Sequence, residues 1–200
     1  MRKLILVPLF FFTTLCSEQI NHGTFKGKRF NDVWKQFTDV QCNFKYNNSE
    51  DMLYMYIYGY TTTAHLLDKE QRAILTSIVN KYFEWNEKAI SKEVEIEKTI
   101  DIELVVRGVF NLGDEWHWSC KKPSNSIVAK FFSQNTKRHQ LVLSFEKIKS
   151  CSNSYIDYKP DQLYFDYEEV LIISKLLLQE ALDETMKEFE KQESIEDDFN

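Results

Sequence analysis

Residues 95–106, Glu95-Ile-Glu-Lys-Thr-Ile-Asp-Ile-Glu-Leu-Val-Val106, decide the fold class. Ile96, Ile100, Ile102, Leu104 and Val106 share one parity. Glu95, Glu97, Thr99, Asp101 and Glu103 share the other. A period of two with one charged face predicts a β-strand with one face buried and one wet, the pattern of an antiparallel sheet packed on one side.

Moving outward, the segment before this strand has the period of a helix. Asp68 with Gln71 three residues later predicts a capping box. From there Ile74, Ile78, Tyr82, Trp85 and Ala89 form one apolar stripe, widened by Leu75, Val79 and Phe83. Such a helix should lie across a sheet, with Trp85 in the core. After the strand, turn residues at Asn111–Asp114 lead to Glu115–Cys120, and a second turn at Lys121–Asn125 contains Pro123. The strands Ser126–Phe132 and Leu141–Ile148 follow, joined by a polar loop Ser133–His139, which completes a four-stranded meander. A second long helix is predicted from Asp166, with Glu169 in a capping box and Val170, Ile173, Leu177, Ala181 and Leu182 along one side.

On the N-terminal side, Asp39–Tyr46 and Met52–Tyr60 flank the turn Asn47–Asp51 and predict a hairpin. Residues 25–36 read as a short helix holding Trp34 against the body. The expected architecture is therefore α+β: a two-layer domain in which an N-terminal hairpin plus a four-stranded meander is packed by two long helices.

The chain divides into an export segment at 1–17, a single domain at 18–190 and an acidic disordered tail at 191–200. Arg2 and Lys3 precede a short apolar run that ends at Thr13-Thr14-Leu15-Cys16, the layout of a secretory signal peptide. The run is too short for a comfortable transmembrane helix. The chain is therefore expected outside the cytoplasm, secreted or periplasmic. The other route makes Cys16 the lipidated first residue of a membrane-anchored lipoprotein. Leu15 counts against this, because a small residue normally stands there.

A net charge of −6 argues against nucleic acid and against electrostatic binding to anionic membranes. It would steer the protein toward a basic partner. No motif calls for a cofactor or a metal. There is no Cys-x-x-Cys, no Gly-x-Ser-x-Gly and no glycine-rich phosphate loop. Glu115 and His117 would share a strand face but lack an identifiable third ligand, so a solvated face is the better reading. In an oxidising compartment Cys120 and Cys151, at strand ends on the same edge, are expected to form a disulfide; otherwise they are two buried thiols. Cys42 reads as a small buried apolar group. Asn47-Asn48-Ser49 matches an N-glycosylation acceptor in a turn.

The most distinctive internal feature is Met52-Leu-Tyr-Met-Tyr-Ile-Tyr-Gly-Tyr60. Tyr54, Tyr56, Tyr58 and Tyr60 share a parity, and Trp116 and Trp118 would extend the same surface if their face is open. Tyrosine combines a large apolar area with a hydroxyl, which suits a contact surface; ordinary cross-strand packing would use the same residues. The expected function is a small exported, non-catalytic interaction protein that engages a protein partner through this aromatic face. The alternatives are an exported hydrolase with carboxylates in a sheet–helix cleft and a carrier of an apolar ligand.

Overall fold

The computed structural model describes residues 19–197; the segment expected to direct export, with Cys16, lies outside them. Within this range the chain is an α+β protein built on a nine-stranded antiparallel sheet with three helices. β1 (Ile20–Asn31) and β2 (Gln36–Asn47) form a long hairpin, followed by a 3-10 turn at Asn48–Glu50, β3 (Met52–Tyr58) and β4 (Thr63–Leu67). Helix α1 (Lys69–Lys92) leads into β5 (Glu97–Leu112), β6 (Glu115–Trp118), β7 (Asn125–Asn135) and β8 (Arg138–Phe145). The short strands β9 (Ile148–Lys149) and β10 (Asp157–Tyr158) pair with each other, and β11 (Leu163–Phe165) joins the main sheet. Helices α2 (Tyr167–Leu176) and α3 (Gln179–Asp197) end the described chain.

The sheet runs β4-β3-β2-β1-β11-β8-β7-β5-β6, and β4 also pairs with β5. That extra pairing closes the sheet on itself, which pairs the outer side of β4 that would otherwise be an open edge. β5 makes the closure possible because it is long. Its first part pairs with β7, from Glu97↔Phe132 to Val106↔Asn125. Its last part pairs with β4 on one side and β6 on the other. The expected meander is corrected here, since β7 lies beside β5 and not beside β6. After β6 the chain runs back along β5, held by Ser119 N–H to Gly108 O at 2.9 Å and Ser124 N–H to Val106 O at 3.1 Å. The turn from β5 into β6 is Gly113-Asp114, with φ of 57° and 70°, the left-handed pair that a tight hairpin needs.

The α1 capping box forms as expected: Asp68 accepts from Gln71 N–H, and the Gln71 side chain accepts from Asp68 N–H, both at 2.9 Å. Leu75, Ile78, Val79, Tyr82 and Ala89 are buried in one core with Phe44, Leu53, Met55, Leu104, Phe131 and Phe165 of the sheet. Trp85 is only partly buried and packs edge-on against Phe131.

Several expectations are overturned. Residues 25–36 are not a helix but the end of β1 and its turn. Asn31 Oδ1 accepts from the N–H groups of Val33 and Trp34, an Asx turn that puts Trp34 69% into solvent. The Ser133–His139 loop is mostly strand, with Ser133 opposite His139 in the ladder. The second long helix is two helices that break at Leu177 and Leu178. His22 of β1 sits at that junction, 2.7 Å from both the Leu176 carbonyl and Thr185 Oγ1. Gly23 beside it lets α2 come close: a Cβ there would meet the Leu176 side-chain tip at 2.5 Å, so that leucine would have to move. Asp166 caps α2 without a side-chain hydrogen bond to the helix, because its carboxylate is taken by Arg138, Lys28 and Gln140. α3 remains helical to Asp197, into the segment expected as a tail.

Cys120 and Cys151 pair as a disulfide, with Cα atoms 4.9 Å apart. After β9 the chain turns back toward β6, and Cys151 N–H donates to Trp118 O at 2.8 Å. Cys42 is buried, and desolvation pushes its thiol up to about 12. Asn47 is buried too, with Oδ1 accepting from Ser49 Oγ at 2.8 Å, so it does not present a glycosylation acceptor.

Candidate binding face

Strand alternation puts Leu53, Met55 and Ile57 of β3 into the main core and Tyr54, Tyr56 and Tyr58 on the opposite face. That second face has its own small cluster of Tyr54, Ala64, Leu66 and Val109, with Met52 and Tyr56 packed against it. Every member comes from a strand. The three tyrosines stack in sequence, with ring centroids 6.3 Å apart for Tyr54–Tyr56 and 6.0 Å for Tyr56–Tyr58. Trp116 meets Tyr56 edge-on at 6.2 Å.

This meeting is a product of the closed sheet. Tyr56 is opposite Ala64 of β4, Ala64 is opposite Val109 of β5, and Val109 is opposite Trp118 of β6. In this row Ala64 of β4 and Val109 of β5 lie between the tyrosine stack and β6, and the Trp116 ring reaches over both strands to Tyr56. Cations flank the rings: Lys45 Nζ lies 5.1 Å from the Tyr56 centroid, and the Arg107 guanidinium carbon lies 5.9 Å from that of Trp118.

Of the expected site residues, Tyr54, Tyr56, Tyr58, Trp116 and Trp118 share this face but are not equally presented, and Tyr60 leaves it. Tyr54 is 4% exposed, and its hydroxyl donates to Glu50 Oε2 at 2.9 Å. Burial and that carboxylate push the phenol up to about 12. Tyr56 is half-buried, with its hydroxyl donating to Gln19 Oε1 at 2.8 Å. Tyr58, Trp116 and Trp118 are open, at 36%, 44% and 43% exposure. Tyr60 is not a fourth rung. β3 ends at Tyr58, and Tyr60 projects from the β3–β4 turn at 97% exposure.

A second exposed aromatic group was not anticipated. Phe30 and Phe37 pair across the β1–β2 ladder with centroids 5.3 Å apart, Phe37 meets Tyr164 at 5.0 Å, and Trp34 stands at the turn beyond them. The turn pair Asn31-Asp32 between two aromatics was the available signal.

Two polar clusters among the described residues come nearest to the chemistry that a hydrolase would need. Ser133 Oγ lies 2.8 Å from His139 Nδ1, but Oγ also accepts from Ile96 N–H at 3.0 Å, and His139 Nε2 is buried without a partner. Among the described residues no acid is hydrogen-bonded to the imidazole, as the orienting group of a nucleophile–base pair would be. Asp166 lines a cleft of about 450 Å³, yet its carboxylate is fixed by Arg138, Lys28 and Gln140. Burial opposes ionisation there, and these three donors outweigh it and hold the acid at about 2. Such a group has no proton to give near neutral pH. His117 faces away from the tryptophans and stacks on Phe110 at 5.2 Å, and no group of three His, Cys, Asp or Glu side chains among the described residues could hold a metal ion. Phe44, Tyr82, Phe131 and Phe165, each under 2% exposed, pack together in the core between helix and sheet. No helix among the described residues is long and apolar enough to cross a membrane.

No protein-family model, curated protein or solved structure matches the chain.

Proposed function

We propose that this chain is an exported, non-catalytic binding protein that engages a protein partner through the outer aromatic face of its sheet. The observation that carries this reading is the Tyr58–Tyr56–Trp116 assembly, rings in stacking and edge-on contact on a sheet face lined only by strands. Buried Tyr54 and half-buried Tyr56 act as the base of the patch, with their hydroxyls already used internally. Tyr58, Trp116 and Trp118 offer their faces outward. A rigid aromatic platform loses little side-chain entropy on binding, and aromatic residues dominate the energetic centres of protein interfaces. Lys45 and Arg107 place two cations against the outer rings, with the Glu50 carboxylate held at the buried end on Tyr54. The patch therefore suits a partner surface with exposed carboxylates around an apolar centre. The Cys120–Cys151 disulfide fits an oxidising compartment, as the export segment implies.

Oxidative footprinting tests the reading before the partner is identified. The purified protein and the protein in its native extracellular fluid would be labelled in parallel. Tyr58, Trp116 and Trp118 should label more slowly in the fluid, while Tyr155, 95% exposed and remote in sequence, keeps its rate. Equal labelling of the three face residues in both samples contradicts the proposal.

A further inference from the structure

At the far end of β5 from the aromatic face, the C-terminal turns of α1 and the start of β5 enclose an open cleft of about 280 Å³. Its floor is Trp85, Ala89 and Phe131, and its wall is Val94 and Ile96. Val94 and Ile96 are apolar yet 40% and 42% exposed, so this surface remains wet in the isolated chain. Three lysines, Lys88, Lys92 and Lys98, complete the lining, and no acidic residue belongs to it. In a chain of 31 acidic and 25 basic residues, an apolar cleft rimmed by cations alone stands out.

The lysines are not equivalent. Lys88 is paired with Glu84. Lys92 and Lys98 have no carboxylate partner among the described residues, and the Lys98 ammonium sits over the Trp85 ring, 4.8 Å from its centroid. Lys98 lies on the apolar parity of β5, which is why its charge is directed to the cleft and not to the acidic face of the strand. A cation parked on an aromatic ring can be taken over by a full negative charge, because a charge-assisted hydrogen bond is the stronger contact.

We propose that this cleft binds a small amphiphilic anion, a medium-chain fatty acid, with its chain along Trp85, Phe131, Val94 and Ile96 and its carboxylate on Lys98 and Lys92. The volume is at the small end of ligand pockets, roughly 300–1,000 Å³, which selects a short chain over a long lipid. The site is distinct from the aromatic face, so the two assignments stand or fall separately.

Isothermal titration of the full-length mature protein with sodium decanoate, below its micelle-forming concentration and at low salt, tests this. The expected result is saturable binding of one decanoate per chain. Decyltrimethylammonium should not bind, and decanol should bind about tenfold or more weakly. Lys92→Gln with Lys98→Gln, both at solvent-exposed positions, should weaken decanoate by about tenfold or more. Ile96→Glu, which places a carboxylate in the wall, should abolish binding. Tyr58→Ala with Trp116→Ala should leave it unchanged. Absence of saturable decanoate binding, equal binding of the cationic amphiphile, or indifference to the lysine and Ile96 substitutions would each overturn the proposal.

Discussion

His65 is the polar side chain whose surroundings conflict most with its chemistry. It lies on β4 among core residues, is 0% exposed, stacks on Phe145 with centroids 4.5 Å apart, and neither ring nitrogen has a hydrogen-bond partner. Desolvation alone pushes its pKa down to about 3. In the unfolded chain a histidine protonates near pH 6.5. Below that pH the unfolded state therefore binds a proton that the folded state refuses, and stability is lost as pH falls, by about 1.4 kcal/mol per pH unit. Between pH 6.5 and pH 5 the loss from His65 is about 2 kcal/mol. Replacement by leucine removes this term and also the standing cost of two unsatisfied buried nitrogens, about 1–3 kcal/mol at neutral pH. Urea unfolding of the wild-type and His65→Leu proteins at pH 7, 6 and 5 measures both effects. Carboxylates and the other histidines are common to the two proteins and cancel in the difference. The variant should be the more stable at pH 7, and its advantage should widen by about 2 kcal/mol at pH 5. A gap that stays constant across the range would mean that His65 takes up its proton in the folded state, and the burial argument would be refuted.

Three further outcomes follow from the same structure. Cys120 and Cys151 are exposed and 31 residues apart, so Cys120→Ser with Cys151→Ser removes a cross-link without unburying the core; chain entropy assigns it about 3.7 kcal/mol by denaturant unfolding. A loss below about 1 kcal/mol would show that the link adds no constraint. The depressed Asp166 carboxyl contributes stability that is present above about pH 4 and lost as pH falls toward 2. With its side chain 27% exposed, a solvent-discounted about 1–2 kcal/mol is expected, and Asp166→Asn should flatten that part of the pH–stability curve. Tyr54→Ala should cost about 3 kcal/mol, as a buried aromatic does, whereas Tyr58→Ala should cost under about 1 kcal/mol. Equal costs would mean that the face is uniformly core or uniformly surface.

What could be read from the residues was whatever is encoded locally. The capping box of Asp68 and Gln71, the apolar stripe of α1, the alternation of 95–106 and the parity of the tyrosines all depend on neighbours within a few positions. β1 escaped because glycines occupy inward positions: Gly23 and Gly27 leave room for Leu176 and Phe165 instead of contributing an apolar side chain to the alternation. β4 escaped because all five residues from Thr63 to Leu67 are buried, so it shows no alternation at all. The split of the last helix is met by His22, which bonds the Leu176 carbonyl from 154 residues away in the chain and leaves no local signature. Closure through β4 and β5 is a long-range pairing with no local signature, and it alone explains why Trp116 reaches Tyr56. That Tyr54, Tyr56 and Tyr58 share a face was thus legible, but that Tyr60 leaves it, and which rings are buried and which are open, was not. The Trp34 turn and the lysine-rimmed cleft were missed because Trp34 and Ile96 were assigned to the body by pattern.

The central claim, that the open rings of the outer sheet face bind a protein, is tested most directly by measuring capture and stability on the same pair of proteins. Wild type and Tyr58→Ala/Trp116→Ala would serve as matched baits in native extracellular fluid. Any protein retained would then be purified and titrated against both, alongside thermal unfolding of each bait. The account predicts a partner that binds wild type and loses about 30-fold or more in affinity with the variant, a hot-spot effect of about 2 kcal/mol, while the thermal midpoint moves little. Equal affinity for both baits, or a collapse of the variant's thermal midpoint, would contradict it.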